Sequence, residues 1–452
     1  MRLLLAVLFA SNLLAAQMFD GVDEASKPVM EQAHRRIEQI RKGDFQVRVV
    51  DEAGKPVPGD ISIRLVRHEF RFGASTLGMP KQEPSLREKA LAVVDELFNT
   101  VSIVNYWSVY KKSPNGEPDW NESDRMLSWA LDHGKNMRFH AMLYGPPRWV
   151  AQVNSTEEWW RLIEQRIREV AERYGKQIHE YDVLNEIAMQ VYYKSENYRA
   201  YQKSPSFPYF EDPANGARCF ALARKYLPDA ELVNNDATIP TAASPILPAI
   251  LKYAQDLLDK GAPVDVIGHQ AHFYASGRMP FQEGHNLVGK GAFTMKALEE
   301  GLDRLGALGK PVHITEFSAP SRSNKVKDPQ QPRLSDEEVA AWQVNYYTLA
   351  FSKPYIHEIT RWFVIDELGG RGVDAGLITK SGQLKPAYYA LRQLLKTTWS
   401  SEWHGKAANG NAAFRGFFGQ YEVTAPGFEK ATFSAASKGS RSITVKLRRA
   451  GH

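Results

Sequence analysis

The chain has 452 residues, of which 43% are hydrophobic and 24% charged, a composition that fits one large globular domain and a smaller one. Its formal net charge is +5, and the basic residues form no long tract, which argues against a nucleic-acid-binding protein. After the first 16 residues no apolar stretch is long enough to cross a bilayer, so we expect a soluble protein, and we expect a monomer.

The first residues have the pattern of a secretory signal peptide. Arg2 supplies a positive charge, residues 3–14 are mostly apolar, and the small residues Ala15 and Ala16 follow. We predict cleavage after residue 16 and a protein that is secreted or periplasmic, with no membrane attachment afterwards. The single cysteine, Cys219, can form no internal disulfide, and its segment is typical of an amphipathic helix, so a packing role is expected.

Alternating polar and apolar residues mark short strands at both ends of the chain. A helical pattern over 27–42 precedes two such segments at 45–50 and 61–65, and the turn signal at 51–54 predicts that they form an antiparallel hairpin. The last ~50 residues show the same alternation of polar and apolar residues, with glycine-rich turns between the predicted strands. We predict that the terminal strands pair into one small accessory β-sandwich.

The middle of the chain has a different pattern, in which strand-like runs alternate with helical patterns. The clearest helix is predicted over 155–174, where Ser155 and Glu158 form a capping-box pattern and Gly175 supplies a stop. Strands alternating with helices imply parallel strands, and eight such units fit a (β/α)8 TIM barrel. The eight predicted strands are 70–75, 101–107, 137–144, 181–186, 232–236, 264–272, 312–316 and 359–365.

These patterns divide the chain into four parts. We predict a signal peptide at 1–16, an N-terminal helix and hairpin at 17–69, a barrel at 70–396 and C-terminal strands at 397–452.

Two of the predicted barrel strands end in a glutamate, which is costly to bury unless it has a task. Glu186 ends the fourth strand and Glu316 the seventh, so both should reach the carboxyl-terminal mouth of the barrel, where barrel enzymes carry their chemistry. A pair of facing carboxylates is the machinery of glycoside hydrolysis. The abundant aromatic residues, 10 Trp, 19 Tyr and 21 Phe, suit sugar binding, although aromatic rings also fill large cores.

The motifs around these glutamates resemble those of family 10 glycoside hydrolases, the endo-β-1,4-xylanases. Tyr-Asp-Val-Leu-Asn-Glu at 181–186 is similar to the acid/base segment of that family, and Ile-Thr-Glu at 314–316 to its nucleophile segment. The resemblance runs from about 70 to 395. Its further segments are 138–140, 235–236, 266–272, 362–366 and 385–389.

The resemblance implies a role for each matching residue. Glu186 would be the general acid and then the general base, Glu316 the ionised nucleophile, and His272 a hydrogen-bonding partner that keeps Glu316 anionic. Asn185 would bind the sugar 2-hydroxyl, and Trp362 would form the floor of the −1 subsite. The full set of implied substrate-binding residues is Asn105, His140, Tyr144, Asn185, Gln270, His272 and Trp362.

The chain departs from the family pattern around the catalytic pair. The acid and lysine expected on the second strand are absent near Asn105, and the third strand ends in Tyr144-Gly145 instead of Trp-His. Ser318 stands where the family has Asp, and Ala237 where it has an aromatic residue. The second tryptophan over the glycone is also absent, from 367–370.

Two interpretations of the substrate follow from these departures. The protein is either an exported glycosidase whose substrate is not plain xylan, or a xylanase with altered subsites. The insert at 189–212 is rich in aromatic residues and could supply replacement stacking surfaces, or it could form a lid that packs its own rings.

A different class of function stays open, a non-catalytic carbohydrate-binding protein on a barrel scaffold. We expect no cofactor and no metal, because His269 and His272 lie three apart on a presumed strand and face opposite sides. The expected partner is a β-1,4-linked plant polysaccharide or oligosaccharide, xylan or a related hemicellulose.

Overall fold

The computed structural model describes residues 23–450, apart from 58, 196–209, 238, 274–293, 320–334, 367–373, 408 and the side chain of residue 151. The predicted signal peptide and most of the aromatic-rich insert lie outside the described residues. None of the helices in the described part of the chain is long and apolar enough to cross a membrane.

The described residues form fifteen strands and eleven α-helices, with short 3₁₀ segments at Met79–Lys81 and Val150–Gln152 and a π-helical turn at Leu394–Thr398. The strands are β1 (Lys42–Asp51), β2 (Asp60–His68), β3 (Arg71–Ser75), β4 (Thr100–Val104), β5 (Asn136–His140), β6 (Glu180–Asn185), β7 (Glu231–Asp236), β8 (Val266–His269), β9 (Val312–Phe317), β10 (Ile356–Arg361), β11 (Glu402–Lys406), β12 (Asn411–Phe417), β13 (Gly419–Thr424), β14 (Ala431–Ala435) and β15 (Ser442–Leu447). The helices are α1 (Lys27–Ile40), α2 (Pro84–Leu97), α3 (Trp107–Tyr110), α4 (Asn121–Asp132), α5 (Thr156–Tyr174), α6 (Ile187–Ser195), α7 (Pro213–Tyr226), α8 (Leu247–Asp259), α9 (Met295–Gly306), α10 (Asp336–Phe351) and α11 (Pro386–Gln393).

Strands β3 to β10 close into a parallel barrel, so the predicted (β/α)8 fold is confirmed. The order around the barrel follows the sequence, and β10 closes it by pairing with β3. Every residue of β6 and of β9 is buried, as expected for parallel strands with side chains inside the barrel on one face and under helices on the other. All carboxyl ends of the strands therefore meet at one mouth.

The helix predicted over 155–174 is observed as α5. The Ser155 hydroxyl accepts a hydrogen bond from the backbone N–H of Glu158 and so caps the helix, but the Glu158 carboxylate pairs with Arg161. The predicted capping box is therefore only half formed. The predicted packing role of Cys219 agrees with its position in α7, where the thiol is fully buried.

The terminal strands pair with one another, as predicted, but not as a simple hairpin. Strand β1 pairs with β12 and β15, whereas β2 lies in a second sheet of order β11-β2-β13-β14. The predicted β1–β2 hairpin is therefore wrong. A two-layer arrangement explains the difference, because consecutive strands can cross from one sheet to the other and each can bury its apolar face between them.

Two arginines at the N-terminus attach this β unit and α1 to the barrel. The Arg41 guanidinium donates to the carbonyls of Phe351 (2.7 Å) and Ile356 (2.8 Å), at the end of α10 and the start of β10. Arg36 pairs with Glu299 of α9 at 2.8 Å. The contacts lie at the side and base of the barrel, away from the mouth.

Candidate active site

The two predicted catalytic glutamates lie at the barrel mouth, where the fold places them for different local reasons. Glu186 is the first residue beyond β6, and its backbone has φ +60°, an uncommon conformation for a residue with a side chain. Glu316 lies within β9 and is almost fully buried. Positive φ in a non-glycine residue is a local strain that the surrounding contacts have to hold in place.

A chain of amide hydrogen bonds connects the surroundings of the two carboxylates. Asn235 Nδ2 donates to Glu316 Oε1 at 2.9 Å and to Asn185 Oδ1 at 2.7 Å. Gln270 Nε2 donates to Asn185 Oδ1 at 3.2 Å and to Glu186 Oε1 at 3.0 Å. The structure therefore brings Asn185, Gln270 and both glutamates into one network.

The surroundings of Glu316 favour its ionised form. Its Oε2 lies 3.1 Å from His272 Nε2, and its Oε1 lies 3.6 Å from His140 Nε2. Burial opposes the charge, but the charge of His140, the hydrogen bond from His272 and the charge of Arg138 outweigh it and lower the pKa of Glu316 to about 2. Glu316 is thus held as a carboxylate.

Glu186 is partly exposed, and each of its carboxylate oxygens accepts a side-chain hydrogen bond from a residue in the described part of the chain. Besides the amide of Gln270 on Oε1, the hydroxyl of Tyr144 lies 2.8 Å from Oε2. The residues that follow Glu186 are fixed by Asp236, whose carboxylate accepts the N–H groups of Ala188 (2.7 Å) and Met189 (3.1 Å) at the start of α6. Burial raises the pKa of Asp236 to about 7, against the effect of these backbone hydrogen bonds.

Behind Glu316 a buried ion-pair chain crosses the barrel interior. His140 Nδ1 lies 2.5 Å from Asp182 Oδ2, and Arg138 Nη1 lies 3.1 Å from the same oxygen. Arg138 Nη2 also donates to the carbonyl of Thr315 at 2.6 Å, one residue before the nucleophile candidate. Burial opposes the charge of Arg138, but the nearby carboxylates, Asp182 first among them, outweigh this effect and raise the pKa of Arg138. These ion pairs fix the orientation of the His140 ring.

We expect Arg138→Met to destabilise the fold by about 3–5 kcal/mol, because it removes the guanidinium that pairs with the buried carboxylate of Asp182. The free energy of unfolding from urea titration checks this value. Arg161→Met is the matched control, since Arg161 forms an exposed i,i+3 pair with Glu158 and should give no measurable change. An equal stability of the two variants would contradict the structural role of the Arg138 ion pair.

Two further predicted residues lie in different settings. Trp362 is buried beside the imidazoles of His140 and His272, with ring centroids 5.1 and 6.2 Å away. Asn105 is directed into the protein, where its amide donates to Ser123 Oγ and the Asp119 carbonyl and accepts from Arg166. The structure thus gives Asn105 a framework role and does not join it to the network of the two glutamates, because its hydrogen-bonding groups are used by neighbouring helices and loops.

From the sequence alone, Asn235, Asp182 and Arg138 have no assigned site role, although all three lie in segments that resemble the family. Asn235 and Asp236 end β7, and this polar strand end is the signal available for Asn235. Asp182 sits mid-strand, two residues before Leu184, and alternation places it inside the barrel, where an unpaired carboxylate would be costly.

A second buried charge cluster lies at the opposite, amino-terminal end of the barrel. Ligand atoms of Glu180, His313 and Glu358 lie within 4.8 Å of one another. Arg71 already supplies the positive charge there, with its Nη1 2.6 Å from Glu180 and 3.9 Å from Glu358. Burial raises the pKa of each of the two glutamates to about 7. We interpret the cluster as a structural ion-pair network and not as a metal centre.

Comparison with known families decides where this fold and site belong. The model of glycosyl hydrolase family 10 matches residues 65–394, more than half of the chain. The chain belongs to glycosyl hydrolase family 10.

Solved structures agree with this family 10 assignment in their fold. Native xylanase 10B from Thermotoga maritima superposes with a TM-score of 0.56 at 20% identity, covering 73% of this chain and 96% of that one. Xylanase 10B from Thermotoga petrophila, solved in complex with xylobiose, also gives a TM-score of 0.56, at 19% identity, covering 73% of this chain and 95% of that one.

Curated relatives of this family 10 protein carry different names. The anti-sigma-I factor RsgI6 of Acetivibrio thermocellus is 25% identical over 93% of this chain and 48% of that protein. Endo-1,4-beta-xylanase C of Paenibacillus barcinonensis is 23% identical over 65% of this chain and 28% of that protein. The chain thus spans about half or less of the length of these relatives.

Proposed function

We propose that the protein is an exported, retaining glycoside hydrolase that cleaves β-1,4-linked plant polysaccharide, xylan or a related hemicellulose. The observation that supports this proposal is that the two carboxylates at one barrel mouth lie in different electrostatic surroundings. Glu316 is held ionised by His140, His272 and Arg138, whereas Glu186 is partly exposed and accepts hydrogen bonds from the neutral side chains of Tyr144 and Gln270. One fixed anion and one exchangeable acid are what double displacement requires.

In the first step of this mechanism, the Glu316 carboxylate attacks the anomeric carbon of the sugar. The glycosidic C–O bond breaks, and Glu186 donates its proton to the departing oxygen. The product is a glycosyl ester of Glu316. In the second step Glu186, now a carboxylate, takes a proton from water, and the water oxygen attacks the anomeric carbon and releases Glu316. Two inversions give net retention.

Groups in the network are available for the sugar. Asn185 Oδ1 is already used by Asn235 and Gln270, so the amide nitrogen of Asn185 is the group we assign to the 2-hydroxyl. Among the described residues, Trp362 Nε1 and Gln270 Oε1 are buried without a hydrogen-bond partner. Buried polar atoms of this kind are costly unless a ligand satisfies them, which supports a polar substrate in contact with both.

Export rests on the sequence pattern of the first 16 residues, which predicts a secretory signal. We propose that the accessory β unit packs against the barrel without taking part at the mouth. Arg41 and Arg36 attach this unit and α1 to the barrel, and both contacts lie away from the mouth.

The proposed activity is tested by a hydrolysis screen over xylan, arabinoxylan, β-glucan and mannan, with sizing of the products. We expect turnover of xylan or arabinoxylan. Binding of a polysaccharide without turnover of any glycoside would favour the alternative, a non-catalytic carbohydrate-binding protein on a barrel scaffold. One relative that matches over 93% of this chain is named as an anti-sigma-I factor and not as an enzyme, and this observation favours testing a non-catalytic function.

The pH dependence gives a separate test of the Glu316 environment. Because the pKa of Glu316 is lowered to about 2, the nucleophile should stay ionised down to about pH 3, and kcat/KM for an activated aryl glycoside should show no acid limb near pH 4–5. Replacing His272 by Gln should move the acid limb to higher pH. Circular dichroism at each pH serves as the folding control, and an unchanged limb in this variant would contradict the assigned cause.

A further inference from the structure

The hydroxyl of Tyr144 faces the oxygen of Glu186 that has to carry the catalytic proton. Glu186 Oε1 already accepts a hydrogen bond from the amide nitrogen of Gln270 at 3.0 Å. An amide NH₂ group donates and cannot accept, and the carbonyl oxygen of a carboxylic acid accepts hydrogen bonds better than its hydroxyl oxygen, so Oε1 is suited to be the carbonyl oxygen. The exchangeable proton therefore belongs on Oε2, which lies 2.8 Å from Tyr144 Oη.

The position of Tyr144 is fixed by the barrel framework. Leu143 forms a parallel β-bridge with Leu184, which carries the chain beyond β5 alongside the end of β6. The Tyr144 ring contacts the ring of Tyr106, with centroids 5.3 Å apart, and Gly145 follows with φ +60°, a turn that suits glycine. The hydroxyl thus reaches Glu186 from a supported strand end.

A hydroxyl differs from the indole that the family pattern places at this position. A tyrosine O–H can donate a hydrogen bond or accept one, whereas the tryptophan N–H only donates. When Glu186 is protonated on Oε2, the tyrosine oxygen can accept that proton's hydrogen bond. When Glu186 is a carboxylate, the same hydroxyl can turn and donate to Oε2, with no movement of the ring.

We propose that Tyr144 is a positioning residue that supports Glu186 in both of its protonation states, as hydrogen-bond acceptor before proton transfer and as donor after it. This inference rests on the proposed function and extends it to a position where the chain departs from the family. Tyr144 orients the proton in the free acid, and it stabilises the carboxylate that forms when the proton passes to the leaving oxygen. It contributes again when that carboxylate acts as a base.

The test compares Tyr144→Phe with Tyr144→Trp on two substrates of the sugar identified by the hydrolysis screen. One substrate is an aryl β-glycoside with a dinitrophenolate leaving group, which needs no acid in the first step and so reports on the base-assisted second step. The other is the natural oligosaccharide, which needs the acid. We expect Phe to slow both substrates about 10-fold, the scale of one hydrogen bond to a charged group. Trp should restore the activated substrate alone, because it donates but does not accept.

The pH profile supplies a readout that a purely structural loss would not move. In Tyr144→Phe the carboxylate form of Glu186 loses a hydrogen-bond donor and the acid form loses an acceptor. The bond to the charged form is the stronger of the two, so its loss should raise the pKa of Glu186 and move the basic limb of kcat/KM for the oligosaccharide to higher pH. Equal losses on both substrates in both variants, with the wild-type pH profile, would overturn the inference. Absence of turnover by the wild type on every glycoside would instead overturn the proposed function and the inference with it.

Discussion

Replacing Glu316 by alanine is expected to lower turnover by about 10⁴-fold or more, the scale on which loss of a nucleophile acts. Of the other carboxylates described near this mouth, Asp182 is engaged by Arg138 and His140 and Asp236 caps α6, so neither is placed to replace Glu316 as nucleophile. Added azide should restore turnover of an activated aryl glycoside, since it fits the space of the missing carboxylate. The product should be a glycosyl azide of inverted configuration.

The matched control for this variant is Glu172→Ala, which removes an exposed glutamate of α5. It should retain wild-type activity and stability. Undiminished activity of Glu316→Ala, or an azide product of retained configuration, would show that Glu316 is not the nucleophile.

Replacing Glu186 by alanine is expected to separate the two steps. With a dinitrophenyl leaving group the first step needs no acid and should proceed, while the second step should slow by about 10²–10⁴-fold for lack of a base. A burst of dinitrophenolate followed by slow turnover is therefore expected. For the natural oligosaccharide, which needs the acid, the loss should already appear in the first step.

Azide distinguishes this variant from the first one. In Glu186→Ala the Glu316 ester still forms, so azide attacks it from the opposite face and gives a glycosyl azide of retained configuration. If the activated and natural substrates lost activity by the same factor, with no burst and no azide rescue, Glu186 would not be the acid/base.

The sequence predicts the barrel well because each strand carries a local pattern. Segments such as β6 and β9 are short, contain Val, Ile or Leu, and bring a polar residue to or near their carboxyl ends, and alternation with helices leaves few other topologies. The wrong hairpin shows the limit of this reasoning. The turn signal at 51–54 correctly marks the end of β1, but local patterns do not reveal that β2 pairs with strands more than 300 residues away.

The site is only partly readable for a similar reason. Glu186, Glu316 and their segments follow from motifs, whereas the partner of each side chain depends on strands far apart in sequence. Asn235 lies 81 positions from Glu316 and contacts it because β7 and β9 share one barrel. Asn105 follows the end of β4 as expected, yet its hydrogen bond to Ser123 and the one it accepts from Arg166 turn its side chain inward. Direction of a strand-end side chain is set by such long-range packing.

The stereochemistry of hydrolysis tests the central claim most directly. Proton NMR of the reducing-end anomeric signals, recorded during the first minutes of cleavage of a β-1,4-linked xylo-oligosaccharide, distinguishes the two anomers before they interconvert. A double displacement through Glu316, with Glu186 as acid and base, predicts that the β-anomer appears first and the α-anomer follows by mutarotation. First appearance of the α-anomer would contradict the assignment of Glu316 as nucleophile.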